Sequence, residues 1–231
     1  GKQGTEVAKE ASDLVLADDN FASIVHAVEE GRNIYQNIKR TIQFMLVTDG
    51  AEGLTLIIAM LAGFTLPITP IQILWVNMVT AVTLSLAFAF APRDASVMRQ
   101  SPLRPNASLF SGRRVTSFLC HTGLIAVGTI GLFLYEMRVA GDLATARTIA
   151  VNALVFFQIY YLWGFFPLQK NLPDLMPVIL ATVGVVLFQL GFTYIPWMQG
   201  IFATAPLDEM AWLQVITVSA VIFVWLWVER K

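Results

Sequence analysis

Six apolar segments follow one another through this chain, at about residues 41–63, 71–91, 115–137, 148–166, 175–195 and 210–228, and they decide what it can fold into. A helix needs about 20 apolar residues to cross about 30 Å of hydrocarbon, and each segment comes close to that length. Lipid offers no partner to an open sheet edge, so six helices are expected rather than strands. The 231 residues are 56% hydrophobic, with a mean hydropathy of +0.66, well above an ordinary soluble domain. The expected fold class is an all-α, multi-pass integral membrane protein.

Residues 1–40 are the polar part. Thr5 to Ala11 carries helix formers, and Asp13-Leu14-Val15-Leu16-Ala17 reads as a short buried strand bounded by acids. Asp18, Asp19 and Asn20 are N-cap candidates for a helix from Phe21, on which Ile24, Val25, Val28, Ile34 and Tyr35 recur at helical spacing. That helix is expected to run straight into the membrane at residue 41. Gly1 follows no methionine, basic n-region or cleavage site, so the sequence reads as a piece of a longer chain.

Lys and Arg set the orientation. With residues 1–40 in the cytoplasm, Lys2, Lys9, Arg32, Lys39, Arg40, Arg93, Arg99, Arg104, Arg113, Arg114, Lys170, Arg230 and Lys231 fall on that side, and only Arg138 and Arg147 fall opposite. Both termini are therefore expected in the cytoplasm. The loop 92–111, with Pro92, Pro102 and Pro105, either contacts a soluble domain or lipid head groups, or only fixes topology. The six tryptophans, Trp75, Trp163, Trp197, Trp212, Trp225 and Trp227, sit mostly near span ends, as interfacial anchors do.

Polar residues inside spans are costly unless they meet one another, water or a cation. Asp49 and Glu52 are three apart and share a helix face, as do Asn77 and Thr80 after the turn marked by Pro67 and Pro70. Together they offer carboxylate, amide and hydroxyl oxygens, the ligands that hard cations prefer. Gly50 and Gly53 permit close helix approach, and they also predict an unwound turn that could line a cavity. Acids that merely glue helices together are the alternative, and two carboxylates on one face argue against it. Asn152 and Gln158 in the fourth segment are candidates for the same cavity; Gln158 serves equally well as an interhelical hydrogen bond.

Other chemistry is not readable here. The single Cys120 makes no internal disulfide and reads as packing, His26 and His121 as surface or packing residues, and Gly1-Lys2-Gln3-Gly4 is no phosphate loop. A net charge of −1 gives no basic excess for nucleic acid.

Three stretches resemble a known family. Gly4-Thr5-Glu6-Val7-Ala8-Lys9-Glu10-Ala11-Ser12-Asp13, Leu16-Ala17-Asp18-Asp19-Asn20-Phe21 and Val28-Glu29-Glu30-Gly31-Arg32 resemble the end of the phosphorylation domain of P-type cation ATPases. Pro70-Ile71-Gln72-Ile73-Leu74-Trp75-Val76-Asn77-Met78-Val79-Thr80 is similar to the sixth transmembrane helix of the calcium-pump and sodium-pump branch, and Pro92, Met98 and Arg99 fit the loop that follows. The resemblance is specific over residues 1–111 and rests on span number and spacing beyond.

It implies that residues 1–20 are a remnant of the phosphorylation domain, 21–40 a cytoplasmic stalk helix, and 41–231 helices five to ten of a ten-helix pump. The phosphorylated aspartate and the nucleotide and actuator domains would lie upstream, so this chain alone would not hydrolyse ATP; the full-length protein would use ATP and magnesium. By position, Asp49, Glu52, Asn77 and Thr80 match cation ligands, and Gln158 falls where the eighth helix contributes another. Ala81 stands where much of the branch has an aspartate, which puts two-calcium stoichiometry in doubt. The implied localisation is the cell membrane, and the implied partners are the lipid bilayer, the transported cation and the upstream domains. A secondary cation or proton transporter, or a channel, built on the same acids without ATP is the rival reading.

Overall fold

The computed structural model describes residues 1–92, 96–101, 112–166 and 171–229, and of Ala81 and residues 112–114 the backbone alone. Thr5 caps α1, Glu6–Glu10, by accepting from the Ala8 N–H. The expected strand at 13–17 is not formed: Leu14 and Val15 are exposed, and no neighbouring strand is present among the described residues to pair its backbone groups.

Asn20 caps α2, Phe21–Ala62, whose 42 residues form one helix. At 1.5 Å per residue this is about 63 Å, roughly twice the hydrocarbon thickness, so a polar stalk and a membrane span share a single rod. Gly63 ends it at φ 71°, in the left-handed region, with its N–H and that of Phe64 closing on the Met60 and Ala59 carbonyls. The next span begins with a capping box, in which Thr69 and Gln72 bond each other's backbone and Pro70 takes the first helical position. It comprises α3, Pro70–Val76, a π-helical turn, Asn77–Ala81, and α4, Val82–Ala89. A short 3-10 turn, Val97–Arg99, precedes α5, Gly112–Val139; α6, Leu143–Trp163, α7, Leu172–Tyr194, the short α8, Pro196–Phe202, and α9, Glu209–Glu229, complete the order. Among the described residues, six helical segments are long and apolar enough to cross a membrane, Pro70–Ala89 counting as one.

At the centre is α6, which buries residues on every face from Ala146 to Leu162 and packs against α5, α9, α7, α2 and α3. Only a helix apolar nearly all round can occupy such a place. The outward faces of its neighbours are apolar as well, with Leu61, Leu74, Leu180 and Leu187 exposed, as a bundle surrounded by lipid requires.

The connections fix the two ends. At one end Arg147 Nε donates to the Leu66 carbonyl at 3.2 Å, the Ala205 N–H to Thr148 Oγ1 at 2.9 Å, and Gln72 Nε2 to the Phe202 carbonyl at 2.8 Å. At the other, the Arg32 guanidinium on the stalk donates to the carbonyls of Val97 at 3.1 Å and Gln100 at 3.0 Å, while Gln36 Nε2 donates to Gln100 Oε1. Of the loop and topology residues, Arg93, Pro102, Arg104, Pro105, Lys170, Arg230 and Lys231 lie outside the described residues, as do the side chains of Arg113 and Arg114.

Two expectations are corrected. Trp75 is no interfacial anchor: it is 7% exposed, stacked on Phe192 and hydrogen-bonded to Gln189. Cys120 lies on an exposed face rather than in packing. His121 is buried, with Nε2 2.9 Å from Glu229 Oε2.

Asp142 starts α6 by accepting from the Thr145 hydroxyl and from its backbone N–H, and these bonds hold its carboxyl below the ordinary range. A depressed carboxylate contributes stability above its ordinary pKa of about 4 and loses it as the pH falls through the folded value. Asp142→Ala is expected to cost about 1 kcal/mol in thermal unfolding at neutral pH, with a smaller difference from wild type in acid.

Candidate functional site

Among the described residues, Glu52 is the one buried carboxylate, 5% exposed on α2. From α6, Gln158 donates its Nε2 to Glu52 Oε1 at 3.1 Å. The Asn77 side chain, on the π-helical turn, also hydrogen-bonds Glu52. Two further elements, the Asn77–Ala81 turn and α6, thus deliver polar groups to the one carboxylate on α2.

Orientation of the Gln158 amide follows from its partner. A carboxylate oxygen only accepts, so the NH2 must face Glu52 and Oε1 must face away. That oxygen is buried and has no hydrogen-bond partner among the described residues. An unpaired buried acceptor costs about 1–3 kcal/mol, and a cation is a group that would satisfy it. Thr80 is buried one turn beyond Asn77 and donates its hydroxyl to the Val76 carbonyl at 2.8 Å, leaving oxygen lone pairs for a ligand.

Asp49 is placed differently from Glu52. It is exposed at the edge of α2, within electrostatic range of Glu52 but outside the packed interior. Three-residue spacing leaves the two acids about 60° apart around the helix, close enough to interact and far enough for only one to be buried. Asn152 does not join this cavity: its Nδ2 donates to the Thr148 carbonyl at 2.9 Å and to Thr193 Oγ1 at 3.1 Å. Nor does α2 unwind at Gly50 and Gly53. Gly50 serves close approach, since a Cβ there would stand 3.4 Å from Thr122 Cγ2 on α5, whereas Gly53 faces open space.

The irregular backbone is in the other helix, at Asn77–Ala81, and reading the sequence alone missed it. A π-helical turn shifts the side chains that follow it and leaves carbonyls imperfectly paired, as is common where helices hold ligands. Its one sequence signal is Thr80, whose hydroxyl competes for a main-chain carbonyl four residues back.

Among the described residues no three of His, Cys, Asp and Glu gather where they could hold a metal ion, so any cation here would rely on amide and hydroxyl oxygens beside Glu52. The donors here are oxygens from one buried carboxylate, two amides and a hydroxyl, with a second carboxylate at the rim. Such a set suits a hard cation, with its charge compensated mainly by Glu52.

Residues 65–231 match the family model described as the C-terminus of cation transporting ATPases. The chain is 36% identical over 223 residues to the cation-transporting ATPase pma1 of Synechocystis, which covers 92% of this chain and 25% of that protein. It is 38% identical over 227 residues to a probable cation-transporting ATPase F of Mycobacterium tuberculosis and 37% identical over 226 to a calcium-transporting ATPase of Bacillus subtilis, in each case 96% of this chain and 25% of the relative. The chain thus spans about a quarter of the length of these relatives.

Proposed function

The chain belongs to the cation-transporting ATPases, as part of their C-terminal membrane region, and on that premise we propose that it supplies the cation site of an ATP-driven pump, centred on Glu52. The observation that carries this reading is the buried Glu52 carboxylate, joined from α6 by Gln158, whose Oε1 is buried and unpaired. Glu52, Gln158, Asn77 and Thr80 are the proposed inner ligands of the cargo. Asp49, on the exposed side of the same helix, is the proposed entry or rim ligand, completing the site where the rest of the protein covers it.

Several further assignments support one another. ATP and magnesium belong to the full-length protein and not to this chain, in which no residue is assigned to them. Both termini lie in the cytoplasm of a cell-membrane pump, with α2 leading from the stalk to the site. Arg32 and Glu52 are twenty residues apart on that unbroken helix, about 30 Å, so a shift of the cytoplasmic end reaches Glu52 through a continuous rod.

ATP hydrolysis by the complete protein, measured across calcium, sodium, potassium, magnesium and pH, tests the reading. Stimulation by one cation, with saturation, is expected; activity indifferent to all of them would overturn it. The Ala81 position gives a further expectation, since the site holds one buried carboxylate and no third acid. Calcium titration should then show at most one site per chain, and two cooperative calcium ions would contradict it.

A further inference from the structure

A second polar cluster lies toward the end of the bundle opposite the stalk and shares no residue with the Glu52 site. Asn152 on α6 and Gln189 on α7 are 0% and 1% exposed. Both amide orientations are forced by groups with a single hydrogen-bonding role. Trp75 Nε1 only donates, and it lies 3.1 Å from the Gln189 oxygen Oε1, so Nε2 points the other way. The Thr148 carbonyl only accepts, and it lies 2.9 Å from Asn152 Nδ2, so Oδ1 points the other way. Thr193 links the two helices: it gives its hydroxyl hydrogen to the main-chain carbonyl of Gln189 at 2.8 Å and accepts from Asn152 Nδ2 at 3.1 Å.

Two buried atoms are left over, Asn152 Oδ1, an acceptor, and Gln189 Nε2, a donor, and neither has a partner among the described residues. Thr193 lies one turn after Gln189 on α7, so both orphaned side chains belong to the same α6–α7 contact, beside Trp75. A group that satisfies both must donate to one and accept from the other. A metal cation can only be coordinated by acceptors and would face the Gln189 N–H, and an ammonium ion can only donate. Water does both, and buried waters in proteins occupy such positions.

We propose that Asn152 and Gln189 form a water-binding site that excludes cations, tying α6 to α7 beside Trp75 of α3. The bound water keeps this side of the interior polar yet neutral, with no carboxylate to hold an ion. If the reading of Glu52 is correct, the site also confines the cargo to the α2 side of α6. The water site itself rests on Asn152 and Gln189 alone and stands or falls independently of Glu52.

A density map of the complete protein at a resolution that shows water, recorded with and without its activating cation, tests it. The expected result is one peak within hydrogen-bonding distance of both Asn152 Oδ1 and Gln189 Nε2, unchanged by the cation. A peak that appears only with the cation, or amides paired to protein groups with no peak between them, would overturn it. Thermal midpoints of Asn152→Leu, Gln189→Leu and the double variant give a second readout, because two residues that share one guest are coupled. The double variant should lose less than the sum of the two single shifts, and additive shifts would count against a shared water.

Discussion

Glu52→Ala in the complete protein is expected to abolish cation-stimulated ATP hydrolysis at any accessible cation concentration, and Glu52→Gln to lower apparent cation affinity about 100-fold or more. The magnitude follows from the environment: removing one partner of a buried charge pair costs about 3–5 kcal/mol, and each 1.4 kcal/mol is about tenfold in affinity. Gln at position 52 keeps an oxygen that accepts from Gln158 Nε2, so it preserves the α2–α6 contact while removing the charge. An unchanged thermal midpoint for Glu52→Gln separates loss of the site from loss of the fold. Asp49→Asn should have the smaller effect of the two acids, because Asp49 is exposed where Glu52 is buried. Cation affinity lost equally on the two substitutions would remove Glu52 from its central place.

Gly128→Val is expected to be the most damaging single change to the packing, lowering stability by about 3 kcal/mol, at the upper end for overpacked cores. A Cβ at Gly128 on α5 would stand 2.4 Å from Phe157 Cζ and 2.8 Å from its Cε2, well inside contact distance. Phe157 is fully buried on α6, so its ring has no open space to enter. Small residues at such crossings let two helices approach, and packing is the main force between helices in lipid. Reducing the ring should relieve the clash: Gly128→Ala with Phe157→Leu should be more stable in thermal unfolding than the two single losses sum to. Simple additivity would show that the two helices separate on substitution and that their contact contributes little.

Much of the architecture was legible because lipid simplifies it. Every backbone group must bond within its own segment, so an apolar run of sufficient length reads directly as a helix. One helix start was legible too, at Asn20, since a cap is local chemistry. Depth around the helix axis was less accessible. Asp49 and Glu52 share a face by spacing, but which of them is buried depends on where α6 lies, a contact between residues 106 apart in sequence. Trp75 was read as an interfacial anchor because it stands near a span end, whereas Gln189 on α7 draws it inward. Asn152 and Gln158 sit six residues apart, so they point to different sides of α6 and into different clusters. The π-helical turn at Asn77–Ala81 was invisible for a similar reason: an apolar, β-branched run fits an α-helical turn as well as a wider one. The expected strand at 13–17 failed because a strand is defined by a partner that these residues do not include.

The central claim, that Glu52 and Gln158 hold the transported cation, is tested most directly by the structure of the complete protein bound to whichever cation best activates its ATPase. The account predicts that ion between α2, the Asn77–Ala81 turn and α6, with the Glu52 carboxylate and Gln158 Oε1 both within ligand distance, about 2.3–2.6 Å if it is calcium. An ion bound elsewhere, with the Gln158 amide still donating to Glu52 and its Oε1 still unpaired, would contradict it.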